Sequence, residues 1–231
     1  MRRLFVLALF AVGVAGGVAR SAASLAADAS PPALTPRAYL AGVSRGQEPF
    51  VPTPAPAQPA EPSPGRVASL YLASAGVSQD APVEERGTVS QGDREVFQDP
   101  SAPGDIAWYS GSRFGHPGFP GTNSVFAAHV NYFGYGDGPF AQLTNARADD
   151  ALYVTMTDGE VYTYTVKWVS IVPLADLANG GMERVVYPSL DAHTERVTLI
   201  SCGGDFVPYN GNGGAGEYTS RVILVAERYV P

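Results

Sequence analysis

The sequence holds one cysteine, Cys202, one lysine, Lys167, and three histidines, His116, His129 and His193. A lone cysteine excludes any intramolecular disulfide. No cluster of cysteine and histidine offers metal-ligand spacing, so the chain is read as needing no metal and no other cofactor. Asp149-Asp150 and the other acidic stretches read as solvated carboxylates. Basic residues number 15 against 22 acidic ones, a net charge of −7. That balance leaves no electrostatic footprint for nucleic acid. Charged residues are only 16% and hydrophobic ones 45%, which excludes a wholly disordered chain. No long amphipathic helix and no internal repeat is visible.

What is there begins with an export signal. Arg2 and Arg3 precede an uncharged run from Leu4 to Ala19. Sixteen residues fall short of the roughly 20 a spanning helix needs and suit a signal-peptide core. Small residues follow as far as Ala27, so an uncleaved anchor is the alternative. Residues 1–29 are therefore read as a signal peptide or membrane anchor, with the two arginines inside and the bulk of the chain outside. The expected place of work is extracytoplasmic, secreted or membrane-anchored at the cell surface. Residues 30–65 form a linker that holds ten of the twenty prolines. Proline lacks the N–H a sheet needs and favours an extended spacer.

Residues 66–231 read as one domain of β type. Val67 to Leu72, Ile106 to Tyr109, Ser124 to His129, Arg196 to Cys202 and Arg221 to Tyr229 have the apolar, β-branched character of strands. Ala151 to Thr157 and Glu160 to Val172 flank Asp158-Gly159, a strong hairpin signal. The segment Arg113 to Thr122 is a loop, and Phe140 to Asn145 a helical turn. The sum is an all-β barrel or sandwich with short helices and long loops.

Chemistry gathers around Cys202. Its strand is followed by Gly203-Gly204, expected to break it, and a Gly/Asn-rich loop leads to the strand opening at Arg221. If the two strands pair as antiparallel neighbours, Cys202 and Arg221 share a rim. A thiol with pKa of about 8.5 is only slightly ionised at neutral pH. A guanidinium beside it favours the thiolate but cannot carry protons, whereas an imidazole can do both. His129 ends a strand beside small alanines, His116 sits in a Gly/Pro loop and His193 in a turn. Pattern alone favours His129 and leaves the other two open.

Several stretches resemble one family. Thr198-Leu199-Ile200-Ser201-Cys202 looks like the Thr-Leu-x-Thr-Cys signature of sortases, the cysteine transpeptidases of bacterial surfaces. Ala128-His129 looks like their Gly-His motif, and Arg221 matches their arginine. Trp108-Tyr109, Pro117-Gly118, Gly138-Pro139-Phe140 and Cys202-Gly203-Gly204-Asp205-Phe206 are similar to class F, with class E second. The likeness covers roughly Val67 to Tyr229. Ser201 departs from threonine by one methyl, and Ala128 from glycine by a Cβ beside the imidazole.

The resemblance implies a closed eight-stranded sortase-type barrel with Cys202, His129 and Arg221 as catalytic residues. Ser201, Ala128 and Asn131 are expected to touch substrate. The implied partners are a Leu-Pro-x-Thr-Gly-like sorting-signal peptide and an amine acceptor such as a cell-wall precursor. The implied reaction passes the peptide through a thioester to that amine, with a bell-shaped rate profile between pH 5 and 9. A fast-alkylating Cys202 is expected to go with it. Water in place of the amine would make the protein a cysteine hydrolase of the same fold. An L,D-transpeptidase-like arrangement keeps Cys and Arg almost adjacent, unlike the 18 residues between them here. The remaining rival is a secreted β-sandwich that binds through Tyr132, Tyr135 and Tyr209 without catalysis.

Overall fold

Side-chain alternation decides where each strand sits. In β9 (Ala151–Met156), Leu152, Val154 and Met156 are buried while Ala151 and Tyr153 face out. One face must therefore cover a core and the other meets water. Strand β10 (Val161–Pro173) returns antiparallel to β9. The expected turn at Asp158-Gly159 joins them, with the Gly159 N–H donating to the Met156 carbonyl at 3.0 Å.

The computed structural model describes residues 65–91, 94–209 and 216–231. The expected leader 1–29, nearly all of the linker 30–65 and the Gly/Asn-rich loop 210–214 lie outside the described residues. No helix among the described residues is long and apolar enough to cross a membrane.

An eight-stranded sheet dominates, in the order β1-β9-β10-β12-β11-β6-β5-β2. The remaining members are β1 (Val67–Tyr71), β2 (Val83–Arg86), β5 (Ile106–Tyr109), β6 (Asn123–Ala128), β11 (Thr194–Pro208) and β12 (Gly216–Tyr229). Most neighbours are antiparallel, but β6 runs parallel to β11 and β2 parallel to β5. The edge strands β1 and β2 approach each other, so the sheet is a nearly closed barrel. Two small hairpins stand apart from it, β3 (Thr88–Gln91) with β4 (Arg94–Phe97), and β7 (Asn131–Tyr132) with β8 (Gly136–Asp137). These hairpins and β2 were not apparent from the sequence. The 3-10 turn Leu143–Asn145 falls within the expected helical turn.

Two apolar clusters share the central strands. Leu70, Phe126, Leu152, Tyr164, Leu199 and Leu224 fill the barrel interior. Residues of opposite parity, including Val125, Ala127, Ile200, Ile223 and Val225, form a second cluster on the outer face. Leu177, Met182 and Val186 from the short helical pieces 174–186, and Phe97 at the end of β4, cover it. Burial on both faces explains why β5 and β6 read as continuous apolar runs rather than alternating ones.

Glu195, fully buried, locks one end of the β11–β12 hairpin. It lies opposite Arg228 and accepts from its Nε at 2.6 Å. Its other oxygen accepts from the Gly118 N–H at 2.7 Å and from the Tyr164 hydroxyl. A carboxylate this deep needs such partners to offset its lost hydration. Through Gly118 it also holds the Gly/Pro-rich loop against the barrel.

Candidate active site

The β11–β12 ladder places Cys202 directly opposite Arg221. Their pairing agrees with the hairpin expected from sequence, but their position in it does not. Gly203-Gly204 does not end the strand: β11 continues to Pro208 and β12 begins five residues before Arg221. The glycines are absorbed as a bulge, with the register shifting between Gly203 and Phe206. Gly204 sits at φ 77°, where a side chain is strained, and a Cβ there would fall 2.6 Å from Thr219 Oγ1. Cys202 and Arg221 therefore lie inside the ladder, buried, rather than on an exposed rim.

On the other side of β11, β6 runs parallel, and the last paired residues are Ile200 and Ala127. Two positions further on stand Cys202, still within β11, and His129, just past the end of β6. Ile200, Ala127 and Ile223 all belong to the outer cluster. Residues two apart share a strand face. Cys202 and Arg221 thus share one level and one face of the β11–β12 ladder, and His129 follows directly on the β6 terminus, on the strand next to Cys202.

His129 and Arg221 are each held from more than one side. The His129 ring meets Tyr132 edge-on at 5.1 Å, and its carbonyl accepts from the Phe140 N–H at 3.1 Å. Gly138 packs so closely that a Cβ there would fall 2.3 Å from the His129 oxygen. The Arg221 guanidinium donates to the Ser220 carbonyl at 3.0 Å, the Tyr218 carbonyl at 3.3 Å and Glu217 at 3.3 Å. Glu227, further along β12, pairs with Arg196 at 2.6 Å.

Burial sets the protonation states. It pushes the Cys202 thiol up to about 11, against the pull of Arg221 and with smaller upward pushes from Glu217 and Asp99. It pushes the His129 imidazole down to about 4. Across neutral pH both groups are uncharged. The bell between pH 5 and 9 expected from unperturbed values becomes a broad plateau with its limbs further out. A neutral, buried thiol works against fast alkylation near pH 7.

The other histidines are elsewhere. His116 bonds the carbonyls of Pro117 and Gly65 and packs on Trp108. His193 bonds the Val230 carbonyl and stacks on Tyr229.

Two of the expected substrate contacts need correction. Ala128 is completely buried in the barrel interior, one pleat away from His129 and on the opposite face. Ser201 is likewise buried, its hydroxyl donating to the Cys202 carbonyl at 3.1 Å. Both side chains shape the strands that carry the site. Asn131 is exposed and lines a cavity of about 450 Å3 beside the triad. Asp99, on the connection after β4, is a charge at the thiol that sequence reasoning missed. It is thirty residues from the nearest site residue and carries no motif.

A sortase-domain family model matches residues 76–229. The chain belongs to the sortase family. Among solved structures, this sortase is similar to sortase A from Corynebacterium diphtheriae, with 20% identity and a TM-score of 0.45, over 73% of this chain and 62% of that one. Sortase C1 from Streptococcus agalactiae matches at 18% identity and a TM-score of 0.44, over 71% and 67%. Sortase C-1 from Actinomyces oris matches at 20% and 0.41, over 65% of each chain. The chain thus spans about two thirds of the length of these relatives. No curated protein sequence matches it significantly.

Proposed function

We propose that this sortase is a cysteine transpeptidase of the class F kind, acting outside the cytoplasm on a Leu-Pro-x-Thr-Gly-like sorting signal. Residues 66–231 form its catalytic domain, and the preceding segments export it and space it from the membrane. The observation that supports this reading is the pairing of Cys202 with Arg221 across β11–β12, with His129 following the end of β6, the parallel neighbour of β11.

In the proposed cycle, the Cys202 sulfur attacks the scissile carbonyl carbon as its proton passes to His129. Arg221 stabilises the developing oxyanion, a contribution of ~3 kcal/mol for a well-placed donor. The imidazolium then protonates the departing amine, the C–N bond breaks and a thioester remains. An incoming amine forms a new C–N bond, the C–S bond breaks, and a proton returns to the sulfur. Starting from neutral thiol and imidazole, the enzyme forms its charged pair only as the carbonyl arrives.

The test is a panel of fluorogenic peptides varying each position of the signal, with and without an added amine. Cleavage of a Leu-Pro-x-Thr-Gly peptide, with an amine adduct as product, is the expected result. Hydrolysis with no adduct at any amine concentration would favour the cysteine hydrolase, and no cleavage of any peptide the binding module.

A further inference from the structure

His116 stands apart from the triad, in the Gly/Pro-rich loop at the other end of the barrel. Strands β1, β10 and β11 run in one direction, so the residues just before β1 lie toward the start of β11. The loop reaches that same end, where the Gly121 N–H donates to the Thr194 carbonyl at 2.8 Å. Cys202 lies eight residues further along β11, roughly 26 Å away.

Both nitrogens of the His116 ring face carbonyl oxygens. Nδ1 lies 2.7 Å from the Pro117 oxygen, and Nε2 lies 2.8 Å from the oxygen of Gly65, 51 positions away in sequence. A carbonyl only accepts, and a neutral imidazole carries a single N–H. Only the imidazolium donates to both. In the neutral ring, whichever tautomer forms, one nitrogen lone pair is set against an oxygen lone pair at hydrogen-bond distance. Trp108 and Phe119 meet the ring edge-on at 5.2 and 5.3 Å and fix its aim.

The peptide unit held in this way is gripped from its other side as well. The Arg66 N–H, in the same peptide plane as the Gly65 carbonyl, donates to Thr157 Oγ1 at 3.0 Å. Gly65 is also where the Pro-rich stretch of the sequence meets the barrel. The charged groups around the ring are engaged with other partners or acidic. Arg66 pairs with Glu85 of β2 at 3.2 Å, Arg113 of the same loop with Glu95 at 2.7 Å, and Glu195 of β11 with Arg228 at 2.6 Å. Tyr162 of β10, close to Gly118, donates its hydroxyl to Glu160. Asp158 lies against Gly65, where a Cβ would fall 2.7 Å from its Oδ2. No ion pair among the described residues includes His116.

We propose that His116 is a proton-operated clamp at this junction. As imidazolium it bridges Gly65 to Pro117 and fixes the direction in which the preceding segment leaves the barrel. On losing one proton to solvent, it keeps the N–H toward its own neighbour Pro117 and lets go of the distant Gly65. The closed junction binds one proton more than the open one, so falling pH closes it and rising pH opens it. A hydrogen bond from a charged donor is about twice as strong as a neutral one, so the two states differ measurably. The clamp takes no part in acyl transfer and stands or falls apart from the function proposed above.

NMR of the labelled full chain tests it without substrate. At the acid end of a titration from pH 5 to 9, both ring N–H protons of His116 should be visible, slowed in exchange by their carbonyl partners. Protection of the Arg66 amide, corrected for the intrinsic pH dependence of exchange, should fall roughly tenfold across the titration, in step with the His116 ring. In His116→Gln, which does not titrate, the fall should shrink below about twofold, and in His116→Ala the protection should be low throughout. His116 is half-buried on a loop, and the amide of Leu199 in the central ladder reports that each variant is folded. Protection that stays constant in the wild type, or a fall that persists in both variants, would overturn the proposal.

Discussion

The β11–β12 hairpin sets two arginine-bearing pairs across the same ladder, one near its open end and one toward its loop end. Near the open end buried Glu195 lies opposite half-buried Arg228, and inside the ladder toward the loop end Cys202 lies opposite Arg221, both buried. Glu195 is matched by Arg228, Tyr164 and a backbone N–H, so its charge is fully engaged in holding the barrel and its loop. At the second end the guanidinium faces a thiol, and the neighbouring strand brings an imidazole. Burial keeps both of those neutral. Under the proposed mechanism, one cross-strand device serves two purposes. Complete matching of charge produces stability, and a cation set against neutral, ionisable groups leaves charge to develop during a reaction.

Separate damage to the two ends should separate these roles. The largest effect belongs to Arg221→Ala, which should slow thioester formation by ~10²- to 10³-fold in stopped-flow assays. A loss below about threefold would return Arg221 to a structural part like Arg228. Next comes Glu195→Gln. It leaves Arg228 without its carboxylate and should lower unfolding free energy by about 3 kcal/mol in a urea titration. Its rate per folded molecule should stay within about twofold of wild type, because the change lies at the far end of the hairpin. A selective fall in rate would mean the ends are coupled.

The smallest effect concerns the thiol itself. Burial disfavours the thiolate, so deprotonation of Cys202 needs a higher pH than an exposed thiol does. Alkylation by iodoacetamide in the free protein should keep rising beyond pH 9 toward about 11. A plateau reached below pH 9 would show that Arg221 outweighs burial.

Much of this comparison is legible in the sequence. The Asp158-Gly159 hairpin follows from local turn chemistry, and the cysteine-to-arginine pairing from two apolar runs joined by a loop. Other parts were not legible, for reasons of range. The parallel pairing of β6 with β11 joins residues some seventy positions apart, so the alignment of His129 with Cys202 leaves no local trace. Gly203-Gly204 carries the same dipeptide signal whether it breaks a strand or bulges it; the partner strand decides. Ser201 and Ala128 adjoin site residues in sequence, yet the pleat turns each to the other face. The short hairpins and the helical pieces at 174–186 lack enough periodicity to read. Asp99 acts on the thiol only through folding.

Trapping the covalent intermediate tests the central claim most directly. The full chain would be mixed with excess Leu-Pro-x-Thr-Gly peptide, quenched in acid within seconds, digested and analysed by mass spectrometry. The account predicts an acyl mass on the peptide containing Cys202, sensitive to hydroxylamine, absent in Cys202→Ala and strongly reduced in His129→Ala and Arg221→Ala. Peptide cleavage that persists in Cys202→Ala, or an adduct on any other residue, would contradict it.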